Sequence, residues 1–340
     1  YLLVPTLPLF IQQLGGNESQ VGLAVGVFTL SAVVFRPFVG GMLDRYGRRI
    51  FMVWGLILFA LSMYFYDWIG GIAALMVLRV FHGASWAFST TAIGTAITDI
   101  IPPARRGEGL GWFGMAMTVA MAIGPMLGIW VLQHYSFRGM FVFGATLSVV
   151  ALLLTVLIRT SYQPKAAAKR IELFEKSVSP IVIVIFFMAV AYGGIITFLP
   201  LFAESIRINS GTFFWVYAVV LTLIRPITGK LSDRYGEASV IVPALVITII
   251  SLLVLSFANG LAGVMVSAVL FGIGIGAAQP ALQAGTLRLA PPDRAGVANA
   301  SFMAAFDLGI GLGAILLGWV SQYEGYRVLF LVTAGSVAIA

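Results

Sequence analysis

Long apolar runs alternate with short polar breaks along nearly the whole chain. Full-length runs fall near 21–43, 50–66, 71–98, 109–133 and 139–159, then, after a polar gap, near 179–203, 212–231, 239–258, 262–288 and 297–320. A helix rising about 1.5 Å per residue needs about 20 apolar residues to cross about 30 Å of hydrocarbon, so each run predicts one membrane-spanning helix. Residues 1–12 open in mid-hydrophobic stretch without an initiator Met, and 326–340 stop inside another apolar run. They read as the end of a first span and the beginning of a last, which predicts twelve spans in the intact protein and no signal peptide. The segment 161–177 (SYQPKAAAKRIELFEKS) is the one long polar stretch and reads as a solvated tether. The expected fold is an all-α membrane protein, with a six-helix half over 1–160, a cytoplasmic linker over 161–177 and a second six-helix half over 178–340.

Composition narrows the solvent. Of the 340 residues, 60% are hydrophobic and only 10% charged, against about 25% charged in soluble domains. Mean hydropathy is +1.01. Soluble enzymes, nucleic-acid binders and disordered chains are excluded together. The absence of cysteine removes disulfides and thiolate metal sites. The net charge of +7 matters through its placement. Taking the linker and every second loop counted from it as one side collects Arg45, Arg48, Arg49, Arg105, Arg106, Arg159, Lys165, Lys169, Arg170, Lys176, Lys230, Arg234, Arg288 and Arg294. The other side receives Arg138, Arg207 and Arg327. Basic residues favour cytoplasmic loops, so the first side is assigned to the cytoplasm and the chain to a cell membrane as a multi-pass protein, the cytoplasmic membrane if bacterial. Arg36, Arg79 and Arg225 remain inside spans.

The chain also repeats itself. Residues 36–47 read RPFVGGMLDRYG and residues 225–236 read RPITGKLSDRYG, with seven of twelve positions identical at an offset of 189. The same offset pairs Gly83 with Gly272, Arg105 with Arg294, Gly107 with Gly296 and Arg138 with Arg327. Leu7–Phe10 (LPLF) recurs as Leu199–Phe202 at an offset of 192, which predicts one short loop differing by three residues. Two halves of six spans each run parallel to one another, an arrangement suited to alternating access around a site at the repeat interface. Transport is the natural expectation.

Three motifs then resemble one family. Gly40–Arg49 (GGMLDRYGRR) is similar to the loop signature of the major facilitator superfamily, with Met42 and Leu43 as mild departures and a degenerate second copy at Asp233-Arg234. Leu78–Gly83 (LRVFHG) resembles that family's fourth-span motif, with His82 in place of glutamine. Gly124–Gly128 (GPMLG) resembles the signature of its drug:proton antiporters, although Ile129 stands where a further glycine is usual. The resemblance covers the whole chain and implies a twelve-span secondary transporter, most closely of the antiporter branch. It also implies that Gly40, Asp44, Arg45, Gly47, Arg48 and Arg49 gate the cytoplasmic side. In the family the matching aspartate faces a helix start in the other half, here near Ala295–Val297, where the helix dipole favours an anion. The plain alternative is a topogenic basic loop. Gly124, Pro125 and Gly128 are implied to seal the pathway, although the same pattern serves close packing alone.

Ionisable groups inside a bilayer are functional candidates by default. Asp307 is the one acid well within a span, about 16 Å from its cytoplasmic start at 1.5 Å per residue. It is expected to exchange protons or bind substrate; the alternative is a structural acid at a close helix contact. Arg79 matches the family arginine associated with proton coupling and requires a carboxylate or helix carbonyls as partner. His82 follows one turn later and titrates near neutrality when unperturbed, though a lone histidine in an apolar helix is commonly hydrogen-bonded and neutral. Arg36 and Arg225, each before a proline in the repeat, are expected to pack against carbonyls. The substrate cavity is expected to be lined by Phe10, Trp86, Tyr192, Phe198 and Gln279, since aromatic walls accept amphipathic ligands.

The leading expectation is proton-coupled export of small amphipathic compounds or drugs by alternating access. The alternatives are a proton-coupled uptake symporter for a small nutrient and a non-transporting membrane receptor. No nucleophile–base pair or metal spacing is present in the sequence, so neither an enzyme nor a cofactor is expected. The expected partners are a small-molecule substrate, protons and lipid, with no nucleic acid, the protein acting as a monomer.

Overall fold

The computed structural model describes residues 1–101, 106–158, 174–291 and 295–340, apart from the side chains at 37, 40–41, 44–45, 98–99, 106–112, 115, 118, 122, 233, 287 and 295–296. The described residues are helical, with no strand among them. The helices are α1 (Leu7–Gln13), α2 (Glu18–Tyr46), α3 (Arg48–Phe65), α4 (Ile72–Ile100), α5 (Arg106–His134) and α6 (Phe137–Leu157), followed by α7 (Ser179–Ser205), α8 (Ser210–Tyr235), α9 (Ala238–Ser256), α10 (Leu261–Leu289) and α11 (Ala295–Ile339). Among the described residues nine helices are long and apolar enough to cross a membrane. One of these, α11, has a 43-residue apolar stretch, about twice what one crossing needs. It breaks at Gly325 (φ 79°, ψ 176°), between the runs 297–320 and 326–340 expected as separate spans. Large apolar side chains such as Trp54, Leu154, Leu157, Ile227 and Leu316 are exposed. That outward apolar surface suits lipid as the solvent.

The chain divides into two compact units. One comprises Tyr1–Gly26, Met121–Trp130 and Glu172–Ala340; the other comprises Val27–Ala120 and Val131–Ile171. In the first, α10 packs against α8 and α9, and α7 runs along α11. Glycines set the α7–α11 spacing. A Cβ added at Gly309 would strike the carbonyl of Phe186, and one at Gly193 would lie 3.0 Å from the Cα of Ile310. Small residues at a helix crossing allow this backbone approach. In the second unit, α3 packs against α4 and α6.

The repeat survives as repeated contacts. Helices α4 and α10 have identical lengths of 29 residues, each preceded by an extended glycine, Gly71 and Gly260. On α4, Gly83 presses on the carbonyl of Phe28; on α10, Gly272 presses on the carbonyl of Tyr217, 3.1 Å from its would-be Cβ. Gly47 and Gly236 hold matching backbone angles of 88°/158° and 84°/161°, a region essentially confined to glycine.

The three-residue offset change is placed differently from expectation. Asn17 accepts from the Gln20 N–H at 2.9 Å and Gln20 returns the bond to the Asn17 N–H at 3.1 Å, a reciprocal cap at the start of α2. Asn209, 192 positions later, caps α8 through the Gly211 N–H at 2.8 Å. Both helix starts therefore correspond, yet α2 has 29 residues and α8 has 26. The extra three residues lie within the first turns of α2 rather than in a loop, lengthening it by about 4.5 Å at 1.5 Å per residue.

Candidate functional site

Within the second unit, the fourth-span motif is built into a buried polar chain. Arg79 and His82 are both on α4 and both buried, which follows from their spacing of three on one helix face. Arg79 Nη1 donates to the hydroxyl of Tyr66 at 3.2 Å, and that hydroxyl lies 2.9 Å from His82 Nδ1. Donation from Arg79 to Tyr66 and from Tyr66 to His82 is the order that satisfies all three groups. It makes Nδ1 an acceptor and leaves the proton of the neutral imidazole on Nε2. Tyr66 is fully buried in the 3-10 turn Tyr66–Trp68 that follows α3, and its ring stacks on Phe141 at 5.3 Å. Next in the chain, Asp67 pairs with Arg138 at 3.3 Å, so both ends of the turn are tied to α6.

Aromatic rings close the other sides of this chain. The Arg79 guanidinium lies 4.3 Å from the Phe28 centroid, a cation–π contact strengthened by desolvation. His82 meets Phe28 at 5.1 Å and Phe59 at 4.5 Å, edge to face. Trp86, expected as a cavity liner, contacts the same two rings at 6.5 and 5.9 Å. Arg79, His82 and Trp86 thus belong to one cluster, with Tyr66, Phe28 and Phe59 as members that motif reading alone missed.

The first unit holds Phe10, Tyr192, Phe198, Gln279 and Asp307. The two phenylalanines and Tyr192 are buried. Asp307 is half-buried on α11, directly after Phe306, whose ring lies 5.7 Å from that of Tyr192. Gln279 Oε1 accepts from Arg225 Nη2 at 3.5 Å. The expectation for Arg225 is thereby amended, since a side-chain amide is among its partners.

The glycines of the antiporter-like motif face residues 1–2. A Cβ on Gly124 would lie 2.6 Å from the Cβ of Tyr1, and one on Gly128 would strike the carbonyl of Leu2. Pro125 sits within α5, where it removes one helix hydrogen bond. In the gating motif, Gly47 forms the turn, Arg48 Nη1 donates to the Leu43 carbonyl at 3.0 Å and Arg49 Nη2 to the Val156 carbonyl at 3.1 Å. In its second copy, Arg234 lies over Tyr235 at 5.2 Å. The side chains of Gly40, Asp44, Arg45 and Asp233 lie outside the described residues. Among the described residues no group of three or more His, Cys, Asp or Glu is arranged to hold a metal.

Comparison with known proteins agrees with this architecture. The family model described as Major Facilitator Superfamily matches residues 1–236 and 208–340. An uncharacterized MFS-type transporter of Methanocaldococcus jannaschii is 24% identical over 98% of this chain and 90% of its own length. A multidrug resistance protein of Salmonella arizonae, MdtG, is 27% identical over 99% of this chain and 88% of its own. Among solved structures, a bacterial homologue of the human lysosomal transporter Spinster, inward-facing and unoccupied, superposes with a TM-score of 0.80 at 16% identity, over 99% of this chain and 91% of that one.

Proposed function

Because the chain belongs to the major facilitator superfamily and is a multi-pass membrane transporter, we propose that it works by alternating access and exports small amphipathic compounds in exchange for protons. The observation that carries the reading is the buried chain of Arg79, Tyr66 and His82. A titratable imidazole held by a fixed arginine inside the bilayer is costly unless it has work to do, and protonating it requires the Tyr66–His82 bond to reverse its donor. The chain is thus a two-state element that couples a proton to side-chain arrangement. Asp307 supplies the second protonatable group. The resemblance of Gly124, Pro125 and Gly128 to the antiporter signature, and the printed name of the multidrug resistance relatives, support export over uptake. Gly40, Asp44, Arg45, Gly47, Arg48 and Arg49, with Asp233 and Arg234, are assigned to gating, and Phe10, Trp86, Tyr192, Phe198 and Gln279 to the substrate path.

The test is reconstitution into vesicles with an imposed pH gradient and a panel of amphipathic compounds. Movement against the proton flow, lost in both Asp307→Asn and His82→Ala, is the expected result. Movement with the proton flow would make the protein an uptake symporter. No gradient-dependent movement of any compound would reduce it to a receptor.

A further inference from the structure

The first unit contains a second set of buried polar groups that no motif accounts for. Tyr192 on α7 and Tyr217 on α8 are 0% and 1% exposed. The two phenols are near neighbours, yet neither hydroxyl has a hydrogen-bond partner among the described residues. Arg225, eight residues after Tyr217 on α8, lies within electrostatic reach of both. Helical side chains lean toward the N-terminus, which carries a long arginine back along the helix toward Tyr217. Gln279 on α10 takes one Arg225 bond at a long 3.5 Å and spends its own amide on the Met121 sulfur at 3.6 Å, a weak acceptor. Buried polar groups in native proteins are ordinarily paired, and a half-satisfied network is a liability unless a further group completes it.

The internal repeat shows that this chemistry is particular to one half. Position 28 pairs with 217 and position 82 with 271 at the common offset. The ring contact is retained, at 5.1 Å for Phe28–His82 and 5.7 Å for Tyr217–Phe271. The polar member has changed sides of it. In the second unit the imidazole on α4 is polar and the ring on α2 is not; in the first, the phenol on α8 is polar and the ring on α10 is not. Packing alone would be met by phenylalanine at 217.

We infer that Tyr192, Tyr217, Arg225 and Gln279 form a subsite for the anionic head of a transported compound, a carboxylate or sulfonate carried on an apolar body. Two phenol donors and a guanidinium converge where little else competes for them, and a fixed positive charge disfavours a cationic head. In low-dielectric surroundings such donor–anion bonds are charge-assisted and strong. The inference rests on the transport reading and gives its substrate a charge class.

The test uses the full chain, purified, with 1-naphthoate and 1-naphthylmethylammonium at pH 7.5 as ligands of matched body and opposite charge. Binding is read by calorimetry with no gradient present. The expected result is tighter binding of 1-naphthoate, weakened by about 5- to 10-fold in Tyr217→Phe and in Tyr192→Phe, as loss of one hydrogen bond to a charged group implies. Arg225→Gln should abolish the preference. Removing an unpartnered buried hydroxyl does not destabilise, so the two phenylalanine variants should keep or raise the thermal midpoint. Equal binding of both ligands, preference for the ammonium, failure to bind 1-naphthoate at millimolar concentration, or unchanged affinity in both phenylalanine variants would overturn the inference. Anion preference without transport in vesicles would overturn the transport reading and leave the subsite standing. Transport without anion preference would do the reverse.

Discussion

Tyr66 carries no formal charge and belongs to no motif, yet it links the two polar groups that the fourth-span motif supplies. Its phenylalanine variant would leave Arg79 and His82 without that hydroxyl in a buried setting. A lost buried bond to a charged group costs about 1.5–3 kcal/mol, so Tyr66→Phe is expected to lower the unfolding midpoint in detergent. Tyr326→Phe removes an outer-end bond to Glu18 of 3.1 Å and is expected to lower it less, because that pair is only part-buried. A Tyr66→Phe protein as stable as the parent would show that the chain is not a structural unit. Arg79 and His82 were legible in the sequence because an ionisable residue in an apolar run is conspicuous. Tyr66 was not, since a tyrosine at the end of a span is ordinary, and only the turn after α3 brings its hydroxyl to α4. Tyr217 was closer to legible: aligning the repeat sets it against Phe28 and raises the question of why one half adds a hydroxyl.

At the level of the helices, glycine separates contacts that matter from those that do not. Gly309 on α11 presses on the Phe186 carbonyl, whereas a Cβ at Gly335 on the same helix would meet nothing within 4 Å. Gly309→Ala is therefore expected to destabilise by about 1–3 kcal/mol through overpacking. Gly335→Ala is expected to stabilise by about 0.5–1 kcal/mol, the helix-propensity difference. Unfolding midpoints of the two variants should move in opposite directions, and a shared direction would show that α7 and α11 are not held at the spacing described. Gly47→Ala and Gly236→Ala should each cost about 1–3 kcal/mol, since both place a side chain in a glycine-only backbone region. Span positions were readable from apolar runs to within a few residues, because length and hydropathy are local properties. Where the three-residue offset lies was not, because the Asn17 and Asn209 caps that settle it are local bonds that hydropathy does not record.

For the whole molecule, the distribution of basic residues sets orientation and the repeat sets architecture. Helix α8 runs from Arg207, just before its start, to Arg234 near its end, so the two arginines are assigned to opposite sides. The absence of native cysteine allows a direct check in intact cells. Arg207→Cys should react with an impermeant maleimide added outside, and Arg234→Cys only after permeabilisation; the opposite pattern would invert the topology. The central claim concerns coupling, and one measurement addresses it most directly. In inside-out vesicles with an acid lumen, amphipathic compounds should accumulate inside as protons leave, and the accumulation should collapse with nigericin and be absent in Asp307→Asn. Accumulation that persists without the gradient, or that proceeds normally in Asp307→Asn, would contradict the account.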